Sequence, residues 1–375
     1  MNVEVARCSD AIRAAEQRIA LLDWVRPLNF ASEVERLVVA FEAGRTASPK
    51  FRYAPPPDFT KLRQGLGLIV RESSLFGAWA QWIEGRVEEL DLEAAIVQSV
   101  GTPALAGLAA RRFPAPEGST SGATNHLVER WLSADSGGEC ASAAPEDHHR
   151  SDDTRDPSSL VSVIRARLTE LALDVDVVLH ADMPSVAATS AEALHVRKGA
   201  NLTLAEARRI AEHEIRAHLL PRRHARRARG LLRCGCARAG AEEEGRAVLV
   251  EARGGGLDGR RRRELALRHL ACALSRCGAS LVEVIRRLMQ FGSSPRLAVT
   301  TGLRCFRGAP GDGAVSGLGR EIVYLPAFIE LRSAFEVDAA LERWFERGRC
   351  SLAYARELEN RPDWVAFELG EVAPP

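Results

Sequence analysis

Residues 213 to 218, HEIRAH, put two imidazoles and a carboxylate within six positions, and a run of three more carboxylates follows at EEEG, residues 242 to 245. Two neutral imidazoles and one carboxylate, with water in the fourth position, make the open tetrahedral shell of a catalytic Zn2+ site. Glu214, adjacent to His213, would take the proton of the attacking water and hand it to the leaving amine. The third ligand is open on chemistry alone. Within AEEEGRAVLVEA, Glu244 is followed by Gly245, which allows close approach, and by Ala247, which allows tight packing, while Glu243 and Glu251 lie on the same segment. His224 also competes, six residues after His218.

The stretch resembles the zinc-protease signature H-E-x-x-H with one residue too many. Positions four apart on a regular helix differ by about 40° and can hold one ion, whereas positions five apart differ by about 140°. His213 and His218 are five apart. A π-bulge removes the difficulty, and such bulges concentrate at functional sites. The spacing therefore predicts a helix deformed at Ile215 to Ala217. The alternative is an exposed, arginine-rich helix whose His and Glu face solvent.

The flanking sequence must build that helix. Thr203 with Glu206 forms a capping box, so the helix begins near Leu204, and Pro221 marks its end. Just upstream, DVDVVLHAD and EALHVRKGA read as two strands joined by the loop MPSVAATSA. Strands feeding a helix that carries His and Glu would let an extended substrate lie along the outer strand. Most other segments have helical periodicity, including residues 9–25, 31–44, 60–69, 78–101, 160–173, 241–253, 258–276, 280–291 and 295–306. Residues 308–319 read as a loop. The expected organisation is a mainly helical region 1–132, a flexible polar linker 133–158, and a catalytic region 159–375 integrated with the first into one domain. The fold class is α+β, predominantly helical, with a small sheet beside the active-site helix. His148 and His149, inside the polar linker, read as solvated.

Composition narrows the partners. The 51 basic residues are balanced by 50 acidic ones, a formal net charge of +1, so no general attraction to nucleic acid or to an acidic membrane follows. PRRHARRARG and GRRRRE have no interleaved aromatic residues to stack on bases, and read as solvated faces. No signal-peptide core and no bilayer-length apolar run is present, so a cytoplasmic protein with reduced cysteines is expected. Cys234 and Cys236, the one tight pair, read as loop thiols.

The order of AEHEIRAHLL, EEEGRAVLVE, SPRLAVTTGLRCFRG and REIVYLPAFIELR, with LLDWVRPLNFASEVERLVVAF and PKFRYAPP near the start, resembles the microtubule-associated tyrosine carboxypeptidase family. Its bacterial relatives are labelled by a Gln-Glu-Gly-Leu-Ala motif or as flavohaemoglobin expression modulators. The resemblance implies a zincin-like metallopeptidase with an H-E-x-x-x-H motif. It makes His213, His218 and Glu244 the zinc ligands and Glu214 the catalytic base. A carboxypeptidase must also hold a terminal carboxylate, for which Arg304, Arg307 and Arg320 are candidates, and Tyr324 could donate to the developing oxyanion. The substrate class would be a peptide or protein C-terminus. Three departures bear on substrate preference: Arg246 replaces an apolar residue of the Gln-Glu-Gly-Leu-Ala motif, Arg216 stands inside the histidine motif, and GRE at 319–321 replaces Thr-Lys-Asp. A regulatory or binding protein that keeps the fold without the activity is the alternative.

Overall fold

The computed structural model describes residues 2–133, 147–181, 183, 185–190 and 192–370. It is predominantly helical, 66%, with two small sheets, an α+β architecture. One apolar core runs from Val5 in the first helix (Asn2–Ile19) to Trp364 in the last (Pro362–Leu369). It therefore joins helices from both ends of the chain. Trp79, Trp344, Tyr354 and Phe306 are its largest fully buried side chains. The proline-rich crossing at 49–57 is irregular, and so is most of 308–319. Of the polar tract 133–158, residues 134–146 lie outside the described residues; at its far end β1 (His149–Arg150) pairs with β5 (Asn201–Leu202), and His149 Nδ1 meets Asp156 at 2.7 Å.

A second, smaller core positions the site. Helix Leu160–Glu170 packs Leu160, Ile164 and Leu168 against Ala187, Leu194, Val196, Ala207, Ala211, Ile215 and Leu219. Its sheet contains β2 (Asp176–His180), β3 (Ala187–Thr189) and β4 (Ala193–Arg197) in the order β2-β4-β3. The two strands expected from sequence are β2 and β4, which run parallel. The segment read as their connecting loop contains a third strand. Ala-Ala-Thr is too short and too poor in branched residues to signal itself, yet it pairs antiparallel with β4, Ala188 opposite His195. Its pairing bonds flank it: Ser190 N–H donates to Ala193 and Arg197 N–H to Val186, each at 2.9 Å. By the alternation of an antiparallel ladder, Ala187 and Thr189 turn their backbone groups to the open edge.

The motif helix begins as its capping box requires. Thr203 accepts from the Glu206 N–H while the Glu206 carboxylate accepts from the Thr203 N–H. After Leu204–Glu212 it widens into a π-helical segment, His213–Leu219, and then continues as Leu220–Ala225. Pro221 therefore does not end the helix. Its missing N–H falls where the hydrogen-bond register has already shifted, in the first turn after the bulge, where proline is tolerated.

Candidate metal centre

The widened turn does what the five-residue spacing needs. Leu220 N–H donates to Ile215, five residues back, and the His213 and His218 rings come to lie side by side with centroids 5.0 Å apart. Ile215 and Leu219, both fully buried in the small core, fix the outer face of the bulge, each contributing about 1.5–3 kcal/mol. One carbonyl is left over. Arg216 C=O would look to residue 221 in π register, and that residue is a proline. Arg246 supplies the missing donor: its Nη1 reaches Arg216 O at 3.0 Å and Phe345 O at 3.3 Å. The arginine that departs from the apolar pattern is thus a buried brace for the bulge. Arg216 itself turns outward to Glu212 at 3.4 Å.

Helix Ala239–Arg253 brings the carboxylates. It lies so close to helix Tyr324–Val337 that a Cβ on Gly245 would meet Ala327 carbons at 2.6 Å. All three candidate glutamates face the histidines, in different roles. Glu251 accepts from His213 Nδ1 at 2.7 Å, and Glu243 from His218 Nδ1 at 2.7 Å. Glu244 offers an oxygen that, with one nitrogen from each histidine, makes a set of donors all within 4.8 Å of one another. It is the one such group of three or more His, Cys, Asp or Glu donors among the described residues. His224 is exposed, its Nδ1 on the Glu346 carbonyl at 2.6 Å, and outside the group.

The tautomers follow from these contacts. An ionised carboxylate only accepts, so both Nδ1 atoms carry protons, and in the neutral rings both Nε2 atoms present lone pairs. Those two Nε2 atoms face each other at 3.3 Å. Two acceptors cannot satisfy one another, whereas ligands at about 2.0–2.1 Å around a tetrahedral Zn2+ stand about 3.3 Å apart. The donor set therefore fits that ion.

The carboxylates are held ionised. Burial works to raise the Glu251 carboxyl, but Arg261, at 2.7 and 2.8 Å, and His213 hold it far below its usual range. Burial is likewise overcome at Glu243 by Arg222 and His218, and at Glu244 by Arg320 at 2.5 Å. Burial disfavours the His218 imidazolium, yet the Glu243 hydrogen bond and charge raise its pKa overall.

Glu214 is 8% exposed, and its Oε2 accepts from Thr189 Oγ1 at 2.7 Å. Arg222 closes the same corner, its Nη1 on the Thr189 carbonyl at 2.5 Å and its Nη2 on Glu243 at 3.1 Å. An open sheet edge, a carboxylate and an ion-ready trio of donors thus converge on one bulged helix.

A model of the family described as microtubule-associated tyrosine carboxypeptidase matches residues 40–362. The chain belongs to this family. A carboxypeptidase-type hydrolase activity on proteins comes with that membership. No curated protein matches the sequence.

In this member the arginines named for carboxylate binding are engaged to different degrees. Arg307 is 7% exposed, with Nε on Arg304 O at 2.9 Å and Nη2 on Glu321 at 2.9 Å. Arg304 spends its Nε on Glu321 at 2.7 Å and stays 31% exposed. Arg320 pairs with Glu244 and lies 5.7 Å from the Tyr324 ring centroid. Tyr324 is buried, which pushes its hydroxyl up to about 12 and keeps it a proton donor. Cys234 and Cys236 are buried thiols of the large core rather than part of a metal group. Thr189, Arg222 and Arg261 escaped the sequence reading. Thr189 lay in an apparent loop, and the two arginines lay in the basic runs PRRHARRARG and GRRRRE, expected to be solvated faces, whereas Arg261 is buried against Glu251 and Arg222 reaches Glu243. No helix among the described residues is long and apolar enough to cross a membrane.

Proposed function

We propose that the chain is a zinc-dependent metallocarboxypeptidase with a zincin-like fold, in which His213, His218 and Glu244 hold Zn2+ and Glu214 is the general base. The observation that carries this reading is the pair of Nε2 atoms facing each other at 3.3 Å beside a carboxylate. When bound, zinc supplies Lewis acidity toward a carbonyl oxygen and toward water. Everything else is done by the chain. Glu214, steered by Thr189, accepts a proton from the attacking water and returns it to the leaving amine. Tyr324 donates to the oxyanion. Glu243 and Glu251 fix the histidine tautomers and raise their basicity.

The substrate is a peptide or protein C-terminus laid against the open edge of β3, where Ala187 offers its backbone groups and Thr189 its N–H, the Thr189 carbonyl being held by Arg222. Arg304, the most accessible of the three arginines first named, faces its terminal carboxylate. Terminal tyrosine, as in the family's description, is the first residue to test.

The deciding experiment measures bound zinc and release of the C-terminal residue for wild type, His213→Ala and Glu214→Gln. About one zinc in wild type, lost in His213→Ala, with Glu214→Gln binding zinc but releasing nothing, supports the proposal. Wild type that takes up no zinc on reconstitution sinks it. Zinc without release of any terminal residue favours the non-catalytic reading.

A further inference from the structure

One guanidinium outside the set named from sequence, Arg268, has an unusual environment. Arg268 lies on helix Gly259–Arg276, two turns beyond Arg261 and within about 20° of it around the axis. Arg261 holds Glu251, and through it His213. The same helix packs against Arg320–Val323 and Pro295–Cys305, the elements that carry Glu321 and Arg304. Arg268 thus shares a helix face with the residue that holds Glu251, on a helix packed against the one carrying Arg304.

What separates Arg268 from Arg261, Arg304, Arg307 and Arg320 is its want of an acceptor. Arg261, Arg304, Arg307 and Arg320 each hydrogen-bond a glutamate. Among the described residues Arg268 makes no hydrogen bond, and its one ion pair is Glu264 at 3.8 Å, with its side chain 23% exposed. Five N–H donors with no acceptor, in a partly desolvated position, favour an incoming anion. Burial, then Arg304 and Arg261, push its pKa down to about 9, the direction expected of a cation lacking its anion; it stays protonated at neutral pH.

We infer that Arg268, together with the exposed face of Arg304, binds the terminal carboxylate of the substrate. The inference rests on the metallocarboxypeptidase reading above. In a C-terminal residue the carboxylate lies one residue, about 4 Å, beyond the scissile carbonyl, so its receptor belongs beside the metal ligands rather than among them. A planar fork that accepts two oxygens side by side selects a free carboxylate over an amide, which is the discrimination a carboxypeptidase requires.

The test uses N-acetyltyrosine and its amide as probes, titrated calorimetrically into zinc-reconstituted protein with and without Arg268→Met. In parallel, kcat/KM is measured on a peptide ending in a free acid and on the same peptide amidated. Expected are at least a tenfold preference for the acid in wild type, its loss in Arg268→Met, and a fall in kcat/KM on the free acid of about 100-fold, with zinc content and melting temperature unchanged. Arg268→Lys should recover only part of the preference, since it restores charge without the fork. Arg268→Met that still prefers the acid overturns the inference, as does wild type that binds both probes equally or neither. Turnover persisting in Glu214→Gln would instead remove the base reading, and the calorimetric preference would still decide Arg268.

Discussion

The Thr189 hydroxyl donates to Glu214 Oε2 at 2.7 Å, so the proposed base is held by a residue of the open edge strand. The same hydroxyl lies 3.2 Å from the Glu214 carbonyl, and the Thr189 carbonyl takes Arg222, which also holds Glu243. One edge residue thus holds the carboxylate proposed as the base and, through Arg222, the carboxylate that accepts from His218. On the proposed mechanism, substrate pairing with β3 would also orient the base.

Thr189→Val keeps the shape of the side chain and removes the donor. Its kcat should fall about 10- to 100-fold with KM within about twofold, because the loss is in positioning the base rather than in binding. Thr189→Ser should restore most of the rate. Zinc content should match wild type in both, and a fall in KM-governed binding alone would contradict the assignment.

Arg246, which the resemblance to the Gln-Glu-Gly-Leu-Ala motif sets at an apolar position, donates to two carbonyls, one of them inside the bulge. Arg246→Leu should cost about 1–3 kcal/mol for each carbonyl left without a donor. Urea unfolding measures that loss directly. Competition with a chelator should also show weaker zinc binding, since the bulge is what aligns His213 with His218. Unchanged stability together with unchanged affinity would mean that water replaces the guanidinium.

Much of this centre could be read from the residues alone, because local rules govern it. The capping box at Thr203, the need for a widened turn at 215–217 and the close approach at Gly245 each follow from a few neighbouring positions, and each is observed. What was illegible depends on long-range geometry. Glu243, Glu244 and Glu251 were equivalent as carboxylates on one segment; their division into one donor to the group and two histidine partners is set by the angle between two helices. Pro221 was misread as a stop because the register shift that makes room for it is invisible in sequence. Strand β3, and Thr189 with it, gave no periodic signal in three residues.

Glu321 should make stability pH-dependent at the acid end. Burial alone would raise its carboxyl, but Arg307 and Arg304 outweigh it and bring it down to about 2. A depressed folded-state pKa stabilises above the unfolded value, near 4.5, and the contribution disappears as pH falls from there through about 2. The amount at stake is on the order of 3 kcal/mol at about 1.4 kcal/mol per unit. Unfolding measured from pH 7 to pH 2 should therefore steepen below about pH 4.5. Glu321→Gln should be less stable at pH 7, with Arg304 and Arg307 short of a partner, and should lose part of the acid slope. An unchanged slope would show that other carboxylates carry it.

The carboxylates behind the histidines set how tightly a cation is held. Glu251 is fully buried in side chain, pinned by Arg261 through two hydrogen bonds and approached by Arg209 at 3.5 Å. Its hydrogen bond fixes the His213 tautomer and makes Nε2 a better donor to a cation. Glu251→Gln retains an acceptor but not the charge, so zinc affinity should drop about 10- to 100-fold. Folding stability should fall as well, because Arg261 loses its ion-pair partner in a buried position. Glu243→Gln acts on His218 in the same way, though Glu243 also answers Arg222 and lies 3.8 Å from Arg349, so its loss disturbs a wider charge network. Zinc competition well below each variant's melting temperature separates affinity from unfolding. If both variants bind zinc as wild type does, the two glutamates serve the fold alone, and orientation of the rings must come from the bulge itself.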